Sequence, residues 1–260
     1  MAGKGSWLAN VSLATAVLLS PITVNAAPSG QLSKAEHQQL QELSELSGGT
    51  LQVNWDEERG TPSFLSGKLS EKLEGEPYEM ALEFLDSVKA LYHVKSPKKS
   101  FALKKVQQDQ LGIRHVRLNH MVRGIPVWGD ELIVHIDKTG VVRSVNGEFT
   151  PNVEENSEKI GEAQITAQQA IRNALEDVKV PSPDRKPLAR LYYFPYPDPD
   201  LITLTYVVTV YDMDVPAEWI VFVDAVTGDV VHKYNNIKFK RGEANRDHYG
   251  KTKRVEGKTD

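Results

Sequence analysis

The pattern of hydrophobic and polar positions predicts the same series of elements twice, a helix followed by antiparallel strands. In the first half, Ser33 and Glu36 form a capping box before a leucine-rich helix. A second helix begins near Pro77, a residue that suits a first helical turn. Its apolar positions recur with a period near 3.6, which predicts packing on a sheet; they are Ala81, Phe84, Leu85, Val88, Leu91 and Tyr92.

Strands are predicted after this helix. In "VWGDELIVHID" the alternation of side chains places Leu132, Val134 and Ile136 on one face. The segment "RGIPVWG" predicts a bend in the sheet, because proline cannot donate a ladder hydrogen bond and the flanking glycines permit a sharp turn. Gly140 in "DKTGV" predicts a hairpin turn.

The second half repeats this order. Thr166 and Gln169 form another capping box, which opens the helix "TAQQAIRNALEDV". Four strands are then predicted in "ARLYYFPY", "LITLTYVVTVYD" and "AEWIVFVDAVTGDVVHKYNNI". The chain is therefore expected to be α+β, built from two units that each pack a helix on an antiparallel sheet.

The first 26 residues form a separate compositional unit, with Lys4 before a short apolar run and small residues around Ala26. This pattern predicts a secretory signal peptide over residues 1–26. A membrane anchor is the alternative, but the apolar run is shorter than the ~20 residues that a span needs.

Cysteine is absent from the 260 residues, so burial and hydrogen bonds must hold the exported chain together without disulfides. Residues 238–260 contain eight lysine or arginine residues and four acidic ones, while the net charge of the whole chain is −4. The basic residues are dispersed along this segment, with only Phe239 and Tyr249 as aromatic residues among them. We therefore expect a solvated tail and no nucleic-acid partner.

Candidate catalytic chemistry is sparse. The sequence contains neither G-x-S-x-G nor H-E-x-x-H. His115 and His120 are an odd number of positions apart, so they point to opposite faces of a strand, and His135 lies on the adjoining strand. Asp130 and Glu131 also point to opposite faces and are expected to lie at a solvated rim. We predict no catalytic residue, no cofactor and no metal site in this chain.

Two tryptophans, Trp128 and Trp219, each lie near the start of a predicted strand. Packing in the core or at a sheet edge is the simpler interpretation. An anchor for a partner protein is the alternative, because buried tryptophans often dominate binding energy at interfaces.

The stretch "VRLNHMVRGIPVWGDELIVHIDKTGVVRSVNGEF" resembles the fungalysin/thermolysin propeptide module, abbreviated FTP. The segments "ITAQQAIRNALEDV" and "AEWIVFVDAVTGDVVHKYNN" resemble the PepSY module that follows it. In this order, behind a signal peptide, they resemble the pro-region of secreted thermolysin-like neutral metalloproteases, the bacillolysin-type M4 peptidases.

The resemblance implies two cystatin-like modules, each a helix packed on a curved antiparallel sheet. It places an FTP-like domain at 27–150, a linker at 151–161, a PepSY-like domain at 162–237 and a basic tail at 238–260. Such a pro-region helps the protease domain to fold and inhibits it, in cis or in trans, and supplies no catalytic residue. Zinc and calcium would belong to a catalytic domain that is not in this sequence. The secreted chain would have no membrane association after signal removal.

We expect protease contacts from Trp128 and from the segment that leaves the second module, where the candidate residues are Asn235, Asn236, Ile237 and Phe239. Two interpretations of the whole chain stay open. It is a truncated protease precursor that ends just beyond its processing point, or a complete stand-alone protease inhibitor of FTP–PepSY type. An enzyme of another kind is disfavoured because no acid–base, nucleophilic or metal set emerges.

Overall fold

A computed structural model of the chain describes residues 23–25, 32–196, 201–213 and 215–237. The predicted signal peptide lies almost wholly outside the described residues, as do the basic tail and Phe239 within it. The part of residues 1–26 that is described, Thr23–Asn25, forms a short strand.

Five helices and eleven strands are described. The helices are α1 (Lys34–Leu46), α2 (Pro77–Ser87), α3 (Pro97–Ser100), α4 (Val153–Ser157) and α5 (Ala167–Val178). The strands are β1 (Thr23–Asn25), β2 (Gln52–Asp56), β3 (Thr61–Ser66), β4 (Phe101–Gln108), β5 (Arg114–Val122), β6 (Ile125–Ile136), β7 (Val142–Glu148), β8 (Leu188–Pro195), β9 (Ile202–Asp212), β10 (Ala217–Asp224) and β11 (Val230–Asn235).

The described strands form one branched sheet. Its path runs β1-β2-β3-β7-β6-β8-β9-β10-β11, and β4 and β5 form a side branch that joins at β6. All neighbours are antiparallel except β1 with β2 and β6 with β8. We call α1–α3 with β2–β7 the first unit, and α5 with β8–β11 the second unit.

The starts of α1, α2 and α5 are those that the sequence predicts. Ser33 Oγ accepts from the Glu36 N–H, and Glu36 Oε2 accepts from the Ser33 N–H at 2.7 Å. Thr166 and Gln169 form the same reciprocal pair at α5. Both capping boxes satisfy backbone donors that the first helical turn leaves free.

The core of the first unit lies between α1, α2 and one face of its sheet. The predicted apolar positions of the second helix are all buried there, although α2 itself ends at Ser87 and turns carry the chain onward to Tyr92. Leu118, Leu132 and Val134 supply the sheet side. The predicted helix-on-sheet packing is confirmed for this unit.

The second unit packs α5 on one face of its four strands. Ala170 and Ala174 are fully buried against Val208, Val221 and Val223. Two alanines on the helix permit its close approach to the sheet. The α+β class, with a helix on an antiparallel sheet in each unit, is confirmed.

A smaller core joins the two units. Val122 and Val127 of the first unit pack with Tyr193 and Leu204 of the second, and Val153 of α4 completes the cluster. The segment predicted as a linker therefore contains a short helix that packs at the junction. The domain boundaries themselves stay a prediction. Among the described helices, none has the length and apolar character required to cross a bilayer.

Candidate functional site

Strand β6 changes its partner within the segment "GIPVWG". Asn119 of β5 pairs with Glu131 and Met121 pairs with Pro126, so β6 has more residues than β5 across this interval. Within it, Val127 pairs in parallel with Tyr193 of β8. Gly129 has φ = 88°, a conformation that a β-carbon disfavours. The bend predicted from the sequence is present, and it carries the sheet from the first unit to the second.

A buried polar cluster supports this bend. His120 Nδ1 and Asp130 Oδ2 are 2.7 Å apart, and both residues are almost fully buried. Asp130 also accepts hydrogen bonds from the N–H and hydroxyl of Thr150, at 2.8 and 2.9 Å. The expectation that Asp130 lies at a solvated rim is wrong. Its partners come from distant positions in the chain, and together they satisfy a carboxylate that burial would otherwise destabilise.

Glu131 does lie on the opposite face, as predicted, and it remains partly exposed. Its carboxylate accepts hydrogen bonds from Lys104 and Arg117. Partial burial alone would raise the pKa of Glu131, but these two cations outweigh it, so the pKa lies below its ordinary value.

A broad cleft of about 1390 Å³ lies between the two units, next to the bend. Its acidic wall comes from the β2–β3 turn and from β6 and β7, and includes Asp56, Glu57, Glu58, Glu131 and Glu148. Several of these carboxylates are paired; Arg59, for example, bridges Asp56 and Glu148 at 2.5 and 3.2 Å. Carboxylates outnumber the cations of the lining, so the cleft carries a net negative charge.

The opposite wall of the cleft is aromatic and continues onto the face of the second unit that α5 does not cover. We call this surface the aromatic face; it consists of Trp128, Tyr192, Phe194, Tyr196, Phe222, His232 and Tyr234. Phe194 and Phe222 are buried and stack with their ring centroids 4.0 Å apart. The other five rings around them are partly exposed. A buried aromatic centre with a partly exposed aromatic rim is typical of a protein-binding surface.

Trp128 lies at the edge of this face, where the structure brings both units together. Its ring contacts Tyr192 and Phe222 edge-on, with centroids 5.1 and 5.2 Å apart. Its indole Nε1 is buried and finds no hydrogen-bond partner among the described residues. Trp128 therefore packs within the chain, as the simpler interpretation holds, and it also lines the cleft.

The exit from the second unit is held by its asparagines. Asn235 Oδ1 accepts from the N–H groups of Glu218 and Ile237, at 3.1 and 3.0 Å. The Asn236 amide donates to Glu218 Oε2 at 3.1 Å. Asn235 pairs with Trp219, three positions along β10 from the Phe222–His232 pair. The structure thus places Asn235, Asn236 and Ile237 at the end of β11 beside Glu218, and Phe239 lies outside the described residues.

The described residues contain no group of three or more histidines and carboxylates that could hold a metal ion. They do contain a pair that the sequence alone did not bring together. His115 and His135 lie directly opposite each other on β5 and β6, with their Nδ1 atoms 2.6 Å apart. Burial lowers the pKa of His135 and so favours its neutral form.

Comparison with known proteins gives a family match within the first unit. Residues 99–149 match the Fungalysin/Thermolysin Propeptide Motif, which covers the strands β4–β7 and the buried His120–Asp130 pair. A thermolysin of Alicyclobacillus acidocaldarius subsp. acidocaldarius is 35% identical over 191 residues, which are 70% of this chain and 34% of that protein. A bacillolysin of Bacillus cereus is 29% identical over 182 residues, 68% of this chain and 32% of that protein.

Among solved structures, the C-terminal domain of YpeB from Bacillus megaterium matches 68% of this chain and 72% of its own, at 14% identity and a TM-score of 0.33. A TM-score this low does not establish a common fold. The chain spans about a third of the length of the curated proteases that it matches. Residues 99–149 are thus a fungalysin/thermolysin propeptide motif, in a chain that resembles the pro-region of thermolysin-type neutral protease precursors.

Proposed function

We propose that this chain acts as the pro-region of a secreted thermolysin-like zinc metalloendopeptidase. It binds the catalytic domain, assists its folding and inhibits it until the two separate. The propeptide motif at 99–149 is the observation that carries the proposal. The catalytic residues, the zinc and the calcium belong to the protease domain, and residues 27–237 supply a binding surface.

The second unit is the PepSY-like module of this pro-region. Its helix-then-four-strands order and the capping box at Thr166 are those on which the resemblance rests. In this proposal the FTP-like domain occupies 27–150, the packed linker 151–161 and the PepSY-like domain 162–237. The apolar segment within residues 1–26 directs secretion.

The aromatic face is the docking surface for the protease domain. One face of the second unit is covered by α5, but the other presents partly exposed rings around a buried pair. Half-buried tyrosine and tryptophan side chains give large contact areas at a small entropic cost, and they dominate binding energy at many interfaces. Trp128 anchors one end of this surface.

The segment after β11 supplies the inhibitory contact. In the described part of the chain, β11 pairs only with β10, so its outer edge is open to a further strand. Asn235, Asn236 and Ile237 fix the direction in which the chain leaves this edge, and Phe239 follows. An extended segment can pair with a strand at the rim of a protease cleft. Covalent linkage raises its local concentration, so modest affinity suffices.

Two assays on one protein preparation test this function. A thermolysin-like catalytic domain is unfolded in guanidinium and diluted with or without the full chain, and the recovered activity is measured. The same chain is titrated against the active enzyme. We expect higher recovery and dose-dependent inhibition. If the chain neither restores activity nor slows the enzyme, the proposal fails for that class of protease.

A further inference from the structure

We propose that His115 and His135 form a two-histidine site for a divalent transition cation such as zinc. The site lies on the sheet face of the first unit that points away from its core. It is independent of the protease-binding function proposed above and would stand if that function failed.

The sheet register positions the two rings. His115 and His135 are direct partners across the β5–β6 ladder, and their ring centroids are 4.8 Å apart at an interplanar angle of 80°. Their Nδ1 atoms face each other at 2.6 Å. Side chains directly opposite in an antiparallel pair are the closest neighbours that a sheet offers, so two ligands are held without any loop.

The outer nitrogens decide which ring atoms carry hydrogen. His115 Nε2 lies 3.3 Å from Asp109 Oδ2, and His135 Nε2 lies 2.5 Å from Asn146 Oδ1. Asp109 can only accept, so His115 Nε2 donates to it, and with the amide oxygen of Asn146 facing the ring, His135 Nε2 donates as well. A neutral imidazole carries one N–H, and both facing Nδ1 atoms are then left with bare lone pairs.

Two lone pairs that face each other repel unless a positive centre lies between them. A cation bound to both Nδ1 atoms removes this repulsion. Tetrahedral Zn–N bonds of about 2.0–2.1 Å place two ligand nitrogens about 3.3–3.4 Å apart, so the two Nδ1 atoms need to separate by about 0.7–0.8 Å and to turn toward a common point. Imidazole nitrogen suits zinc, copper and nickel.

The surroundings fit such a site. Hydrogen bonds from an Nε2–H to a carboxylate or carbonyl oxygen orient metal-binding histidines in many proteins, and here each ring has one. Asp109 is itself held by the N–H groups of Leu111 and Ile113, both at 2.9 Å. Of the nearby cations, Arg117 is paired with Glu131. The His115 side chain is 27% exposed, so water can complete the coordination shell.

Zinc titration of the full chain by calorimetry at neutral pH tests the site. We expect the parent to bind one zinc ion. The zinc affinity should fall at least tenfold in His115→Ala and in His135→Ala. His232→Ala, which removes a half-buried histidine of the second unit, is the matched control and should bind as the parent does. Circular dichroism confirms that each variant is folded.

Asn146→Asp distinguishes a metal site from an ordinary histidine–histidine hydrogen bond. An aspartate at 146 can only accept, so it keeps the Nε2–H form of His135 and should maintain or tighten zinc binding. Nitrogen-15 spectra of the metal-free protein should show both rings as Nε2–H, with both Nδ1 signals shifting on zinc addition. An Nδ1–H on either ring, together with alanine variants that bind zinc as tightly as the parent, would overturn the proposal.

Discussion

Val127 of β6 lies opposite Tyr193 of β8, and through this pair the sheet of the first unit continues into that of the second. Both residues are buried in the small core that also contains Val153 of α4. The propeptide motif therefore does more than complete the first unit, because its bend presents the strand on which the second unit is built.

Trp128 tests how this junction is stabilised. Trp128→Phe keeps an aromatic ring against Tyr192 and Phe222 and removes a buried N–H that has no partner among the described residues. We expect its free energy of unfolding to lie within about 0.5 kcal/mol of the parent or above it. Trp128→Ala should lose about 3 kcal/mol, because it leaves a cavity at the junction. Urea unfolding measures both, and equal losses in the two variants would contradict this account.

Gly147 tests the close approach of β7 to β6. Its φ is 140°, and a β-carbon added there would lie 1.9 Å from the Glu131 carbonyl oxygen. Since the backbone of β6 cannot give way without breaking the ladder, Gly147→Ala should cost at least about 2 kcal/mol. Gly161→Ala is the control, as a β-carbon there meets nothing within 4 Å. A loss of similar size at both glycines in urea unfolding would refute the steric explanation.

Asp130 and Glu131 are adjacent carboxylates in opposite environments. Asp130→Ala removes the acceptor for His120 and Thr150 in the core and should cost roughly 3–5 kcal/mol. Glu131→Ala removes only partly exposed pairs with Lys104 and Arg117, and should cost about 1 kcal/mol or less. Chemical denaturation compares the two, and a larger loss for Glu131→Ala would show that the burial argument is incorrect.

Asp137 should make stability fall in acid. Burial opposes ionisation of this carboxyl, but hydrogen bonds from Thr139 and Arg143 outweigh it and hold its pKa well below the ordinary value of 3.8. A carboxyl whose pKa is lower in the folded than in the unfolded state stabilises the fold at any pH above its unfolded-state pKa. This contribution is lost as the pH falls through the folded-state pKa. Urea midpoints between pH 7 and pH 2.5 should decline less steeply in Asp137→Asn. Parallel curves would exclude this contribution.

The aromatic face gives a sharp test of the proposed inhibition. Tyr234 of β11 lies on this face, with its ring 6.2 Å from Phe222. Tyr234→Ala should weaken inhibition of a thermolysin-like enzyme at least about tenfold, as loss of a hot-spot tyrosine does. Val231→Ala, on the same strand, is the control, because Val231 is 46% exposed and has no place in the face. Equal inhibition by the parent and by Tyr234→Ala would show that the aromatic face does not bind the protease at Tyr234.

The sequence predicted features that depend on near neighbours. The capping boxes at Ser33 and Thr166 span a single helical turn, and the buried stripe from Ala81 to Tyr92 follows from a local period. Gly124, with φ = 79°, and Gly140, with φ = 92°, lie at the turns where their flexibility predicts them.

Features that depend on register were missed. The burial of Asp130 requires Thr150, twenty positions away, and a carboxylate in an alternating strand gives no sign of such a partner. His135 faces His115 only because β5 and β6 are aligned without a slip at that point. A shift of one residue would send the rings to opposite faces, and local patterns do not encode that choice.

The branch point at β6 also limits how this protein can be divided. A fragment that begins after residue 161 keeps β8–β11 and α5 but loses the strand that lies against Tyr193. Its β8 edge would expose unpaired backbone donors and acceptors beside an aromatic surface, a combination that invites aggregation. Expression of the second unit alone is therefore expected to give self-associating material, unless the 125–136 strand is supplied with it.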